Sequence, residues 1–146
     1  MRNIHILLVE DNEGDVFLTL EALKEGRIVN RVSVVNDGEA AMDFLLKKNE
    51  YVNADSPDLI LLDVNLPRKN GHEVLRELKA IDSLKLIPVI MLTTSSSERD
   101  IIESYKNHVN CYITKPVDAD NFLKVVTTIE NFWISIVTLP AVNLHP

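Results

Sequence analysis

One cysteine, Cys111, stands in a chain of 146 residues, so no internal disulfide can hold this fold. A lone thiol fits a reducing compartment. The four histidines, His5, His72, His108 and His145, are too scattered for a zinc site. Lysine and arginine nowhere cluster, and the net charge is −7 with a pI near 5.0. That sign argues against a surface that tracks nucleic-acid phosphates. No apolar run approaches the roughly 18 residues of a membrane span. "MRNIHILLVE" is apolar for too few residues to be a signal peptide before two acids interrupt it. A nucleotide- or flavin-binding module would need a glycine-rich phosphate cradle after its first strand, and "VEDNEGD" offers acids there instead. The expectation is an acidic, cytoplasmic protein with neither a membrane nor a nucleic acid as partner.

What is present is an alternation of two periods. With 46% hydrophobic residues, a chain of this length can bury one core. "IHILLV" (4–9), "VSVVN" (32–36), "LILLD" (59–63), "IPVIML" (87–92) and "CYIT" (111–114) read as short buried strands. Helical stripes lie between and after them: Val16, Leu20 and Leu23; Ala41, Phe44 and Leu45; Val74, Leu75 and Leu78; Ile101, Ile102 and Tyr105. The last and longest runs through Phe122, Val125, Val126, Ile129, Phe132, Trp133 and Ile136. Asp37-Gly38, Asn70-Gly71, Ser95–Ser97 and Asp118 supply helix starts. Strands separated by helices predict an α/β fold: a doubly wound, five-stranded parallel sheet with helices on both faces. The polar connection "NEYVNADSPD" (49–58) reads as a surface excursion. Residues 1–137 are expected to form the domain and 138–146 a short extension, with no output domain.

In a parallel sheet the residues after each strand gather along one edge. Here they are Glu10 and Asp11, Asp63, Thr93 and Thr94, and Lys115 followed by Pro116. With strand order 2-1-3-4-5, the switch point lies between the first and third strands, and Glu10, Asp11 and Asp63 converge there. At roughly 4 Å and an effective dielectric of about 20, each like-charged pair costs on the order of 4 kcal/mol. Either protons are taken up or a cation sits among the acids. A hard oxygen site suits Mg²⁺ better than zinc. A carboxylate nucleophile, a divalent cation, the Lys115 ammonium and the Thr93 hydroxyl are together what phosphoryl transfer needs. Two bland readings stand beside this one: Glu10 and Asp11 as caps of the helix starting near Glu13, and Asp15 as a surface charge on that helix rather than a fourth ligand. A Mg²⁺-dependent phosphohydrolase with a strand-end aspartate is the enzymatic alternative. It wants a second carboxylate two residues on, where this chain has Asn65.

"LLVEDN", "LILLDVNLPRKNG", "PVIMLTTSS" and "CYITKP", in this order and spacing, resemble the response-regulator receiver domains of two-component signalling. Within that family, "VEDNEGDVFL" and "NFWISIVTLP" look most like the single-domain regulators paired with cyanobacterial phytochromes. The resemblance implies the flavodoxin-like (βα)5 receiver fold and a switch rather than an enzyme. It makes Asp63 the phosphoacceptor, charged by a partner histidine kinase, here a phytochrome-type light sensor. It implies that Asp11 and Asp63 bind Mg²⁺ through carboxylates, Asn65 through its main-chain carbonyl, and Glu10 through water. Lys115 would contact phosphoryl oxygens, Thr93 would bond one of them, and Tyr112 would swing inward behind Thr93. The Lys115-Pro116 bond is typically cis in this family. Glu10 stands where many members have aspartate, one methylene shorter.

The end of the chain adds a surface. "ENFWISIVTLP" concentrates more apolar side chains than one core-facing stripe requires. Phe132, Trp133 and Ile136 are therefore expected to anchor a homodimer. With no output domain expected, the signal would pass by surface recognition to a downstream protein.

Overall fold

A computed structural model describes residues 4–25, 30–94 and 111–127. Five strands, β1 (Ile4–Val9), β2 (Asn30–Val35), β3 (Leu59–Asp63), β4 (Val89–Thr93) and β5 (Cys111–Thr114), form one sheet. Their order is β2-β1-β3-β4-β5, and every neighbouring pair is parallel, as expected from the sequence. The described α-helices are α1 (Glu13–Glu25), α2 (Gly38–Leu45), α3 (Gly71–Lys79) and α4 (Ala119–Thr127), with a single 3-10 turn at Asn49–Tyr51. None of them is long and apolar enough to cross a membrane. The predicted stripe of Ile101, Ile102 and Tyr105 lies outside the described residues, as do the proposed dimer anchors Phe132, Trp133 and Ile136.

Continuous apolar runs suit this sheet because both of its faces are covered. Pleating sends alternate side chains to opposite layers. Leu7, Val9, Ile60, Leu62, Val89 and Met91 join Ala41, Phe44, Leu45, Val74, Leu75 and Leu78 under α2 and α3. Ile6, Leu8, Leu59, Leu61, Ile90, Leu92 and Ile113 join Leu23 of α1 and Phe122 of α4 on the other face. All residues of β1, β3 and β4 are buried. Two strands, β2 and β4, differ from the periodicity at both ends. β2 begins at Asn30, extending the predicted 32–36 run towards the amino end. β4 begins at Val89 because Pro88 has no N–H to give to a ladder; its carbonyl instead accepts from Ile60 N–H at 3.0 Å.

The helix starts are built from short polar side chains. Asn12 Oδ1 accepts from Asp15 N–H at 2.9 Å, so Asn12, rather than Glu10 or Asp11, caps α1. Asp37 Oδ1 accepts from Ala40 N–H at 2.7 Å, and Asp118 Oδ1 from Asn121 N–H at 2.8 Å. Asn70 and Glu73 form a reciprocal capping box at α3.

Gly71 opens α3 without a left-handed φ, so its role is close approach. A Cβ there would lie 2.3 Å from the Asp63 carbonyl oxygen and 2.8 Å from Val64 Cα. Gly71 N–H also donates to the Val64 carbonyl at 2.9 Å, tying α3 directly to the end of β3. A side chain at this point must therefore push the backbone that carries Asp63. Gly71→Ala is expected to destabilise the protein by about 2 kcal/mol or more, read as a lower urea midpoint. An unchanged midpoint would show that the helix can stand off without cost.

Candidate functional site

The ends of β1, β3, β4 and β5 bring together residues far apart in sequence. Val9 is level with Leu62, Asp63 with Leu92, and Thr93 with Thr114. Glu10, Asp63 and Lys115 share the alternation of Leu8, Leu61 and Ile113, which face α1 and α4. Their side chains are thus directed to one side of the sheet edge. Thr93 continues the opposite alternation, that of Val89 and Met91.

Each of Glu10, Asp11 and Asp63 offers a carboxylate oxygen within 4.8 Å of the others. Glu10 and Asp63 are 0% and 2% exposed, whereas Asp11 is open to solvent. Buried carboxylates need compensation, and Lys115 supplies it. Its Nζ donates to Glu10 Oε1 at 2.8 Å and to Asp63 Oδ2 at 3.2 Å. A third bond, to Asp15 Oδ2 at 2.8 Å, corrects the expectation that Asp15 is only a surface charge. Asp15 lies one helical turn beyond Asp11, on the first turn of α1, and its side chain is 30% exposed. The signal in the sequence was that four-residue spacing combined with a helix start at Glu13. Recognising the pair also required knowing that α1 covers the face from which Lys115 projects.

Of the remaining predicted residues, Asn65 borders this cluster, while Thr93 and Tyr112 lie on the other face of the same sheet edge. Asn65 N–H donates to Asp63 Oδ1 at 3.2 Å, so both Asp63 oxygens have partners. Glu10 Oε2 accepts from Asn12 N–H at 3.2 Å. Thr93 is buried at the end of β4, and its carbonyl accepts from Lys115 N–H at 2.8 Å. Tyr112 is half-buried against the layer beneath α2 and α3, level with Met91. Thr93 and Tyr112 thus lie on the same face of adjacent strands, as diagonal neighbours. The Lys115-Pro116 bond is cis, in agreement with the resemblance.

Burial, more than charge crowding, shows in the protonation of the group. Burial pushes the Asp63 carboxyl up from 3.8 to about 7, with further upward pressure from Glu10, while Lys115 and the Asn65 N–H oppose it. Burial works against the Lys115 charge as well, but hydrogen bonds to Asp15 and Glu10, with the charge of Asp63, raise its pKa above the ordinary lysine value. Three carboxylates this close, two of them buried, form a hard oxygen set that fits Mg²⁺ or Mn²⁺.

The raised Asp63 pKa has a definite consequence for stability. Between about pH 4 and pH 7 the folded metal-free protein holds a proton that the unfolded chain releases. The stability linked to that proton is complete below the unfolded value and is lost as pH rises through the folded one. Urea unfolding in EDTA is expected to show a decline on the order of 2–4 kcal/mol from this group across the window. Asp63→Asn should flatten that part of the profile; an equal slope in both proteins would assign the titration elsewhere.

Comparisons with known proteins agree with this geometry. Residues 6–127 match the family model of the response regulator receiver domain. The chain is 52% identical over 136 residues to response regulator Rcp1 of Synechocystis sp., covering 93% of this chain and 92% of that protein. The crystal structure of a phosphorylated cyanobacterial phytochrome response regulator, RcpA, superposes with a TM-score of 0.77 at 49% identity, covering 92% of this chain and 96% of that one. The Mn²⁺-bound form of Rcp1 gives a TM-score of 0.75 at 49% identity over the same shares of the two chains. This parallel sheet, with its strand-end acids and buried lysine, belongs to the response-regulator receiver family.

Proposed function

We propose that Asp63 accepts a phosphoryl group from the phosphohistidine of a partner histidine kinase, and that the protein signals by the change of surface that follows. The observation that carries this reading is the meeting of the carboxylates of Glu10, Asp11 and Asp63 within 4.8 Å, with Lys115 Nζ 3.2 Å from Asp63 Oδ2. An Asp63 carboxylate oxygen attacks phosphorus, the bond from phosphorus to the histidine nitrogen breaks, and an acyl phosphate forms. Lys115 supplies positive charge to the phosphoryl oxygens, and the Thr93 hydroxyl donates a hydrogen bond to one of them. Asp11 and Asp63 would hold Mg²⁺ through carboxylates, Asn65 through its main-chain carbonyl and Glu10 through water. When bound, the ion neutralises charge that develops on the transferring group. The same residues would assist hydrolysis of the acyl phosphate, which returns the switch to its resting state.

A phosphoryl group adds roughly −1.5 to −2 charges at the sheet edge. In this reading Thr93 is drawn towards it and Tyr112 follows inward, so that one of two arrangements of the β4 and β5 side is selected. The chain's own structural neighbours include a cyanobacterial phytochrome response regulator and a bacteriophytochrome response regulator, which supports a phytochrome-type sensor as the kinase. Residues 1–137 would form that receiver and 138–146 a short extension. A cytoplasmic setting fits the single cysteine.

Two experiments test these assignments. Incubated with Mg²⁺ and a small acyl-phosphate or phosphoramidate donor, the parent is expected to gain one phosphoryl group by intact mass, and Asp63→Asn none. Equal uptake by both would move the acceptor to another residue. The apolar sequence around Phe132, Trp133 and Ile136 supports a homodimer, so a Phe132→Ala/Trp133→Ala protein should sediment as a monomer beside a dimeric parent. Equal masses would remove that surface from the proposal.

A further inference from the structure

A lysine ammonium has three hydrogens to donate, and in this structure all three have carboxylate partners. Glu10 Oε1 and Asp15 Oδ2 each accept at 2.8 Å, and Asp63 Oδ2 at 3.2 Å. Glu10 and Asp63 belong to the strand-end acids; Asp15 does not. It comes from α1, and it is absent from the group of acids that approach within 4.8 Å of one another. The geometry therefore gives Asp15 a contact with the lysine but no place in that acid set. The Lys115 side chain is 8% exposed, so its Nζ has little water to turn to in place of these partners. The two shorter bonds draw it towards Glu10 and α1, and the longest reaches Asp63.

We propose that Asp15 is a positioning residue that holds the Lys115 ammonium towards α1, favouring cation binding by the unphosphorylated acids and opposing retention of a phosphoryl group on Asp63. This inference rests on the assignment of Asp63 as acceptor. Its physical basis is the sign of each interaction. An ammonium drawn away from Asp63 leaves more of that carboxylate's charge for a divalent cation, and the Asp15 charge adds attraction of the same sign. A phosphoryl group experiences the reverse. It needs the ammonium that Asp15 holds, and it is repelled by the Asp15 carboxylate. One side chain thus acts on two ligands in opposite directions.

Asp15→Asn removes the charge while keeping the shape. It also leaves the Asp15 N–H free to donate to Asn12 Oδ1, a bond of 2.9 Å that caps α1. Calorimetry with Mg²⁺ alone, then with beryllium trifluoride as a phosphoryl analogue at saturating Mg²⁺, reads the two effects separately. The Mg²⁺ Kd is expected to rise about three- to tenfold and the beryllium trifluoride Kd to fall by about the same factor. Asp15→Glu, which keeps the charge, should lie nearer the parent in both constants. Asp15→Ala repeats the measurement should the amide variant not fold. Opposite shifts support the proposal. A weakening of both constants would mean a loosened pocket, and no change in either would mean a bystander; each overturns it. A parent protein that binds Mg²⁺ but neither beryllium trifluoride nor a phosphoryl group would instead overturn the acceptor assignment, a failure visible before any variant is made.

Discussion

One buried ammonium holds the sheet edge together. Lys115 reaches Glu10 at the end of β1, Asp63 at the end of β3 and Asp15 on α1, while its own backbone N–H is bonded to β4. Without it, Glu10 and Asp63 would be buried carboxylates facing each other across adjacent strands, and their repulsion would be met by protonation or by separation of the strands. The arrangement exists because the sheet is parallel and its pleat is in step. Glu10, Asp63 and Lys115 each follow a residue directed to the opposite face, so all three emerge towards α1. A shift of one residue in any of these strands would send its side chain under α2 and α3.

The two apolar layers make that register firm. Every residue of β1, β3 and β4 is buried, so a slip would exchange one packed set for another of different shape and cost packing on both faces at once. Gly71 fixes the next step, since α3 starts against the carbonyl of Asp63 itself. A rigid frame of this kind lets a small chemical change at the edge act on selected neighbours rather than dissipate. Thr93 and Tyr112 share the face opposite to Lys115 and its acids, so the acid–lysine cluster and the hydroxyl pair address different layers of the same edge.

Much of this was legible in the sequence, for identifiable reasons. Apolar runs of strand length, bounded by Asp37, Asn70 and Asp118, gave the element order, and the caps form where those residues stand. Topology then brought Glu10, Asp11 and Asp63 together without knowledge of any side-chain position. Local rules failed in two places. Pro88 lies inside an apolar run, and hydropathy does not register a missing N–H, so β4 starts later than its pattern. Asp15 carries the commonest mark of a helix-surface acid, a place in the first turn, where a carboxylate is favourable by itself. Its tie to Lys115 depends on which face α1 covers, a tertiary fact that no window of sequence contains.

The charge count around Lys115 explains why such a site suits a switch. Three carboxylates, Glu10, Asp15 and Asp63, contact one lysine and a fourth, Asp11, lies beside Glu10 and Asp63, leaving three negative charges in excess when all are ionised. A proton on Asp63 reduces the excess to two, and a divalent cation with all four acids ionised reduces it to one. Neither closes it, so the group keeps a net negative charge that attracts a cation. On the proposed function, a phosphoryl group on Asp63 would add negative charge beside this lysine. The ammonium cannot satisfy the old and new anions equally with three hydrogens. Redistribution of those hydrogen bonds would follow, and it would act first on the elements that carry the competing acids, β1, β3 and α1.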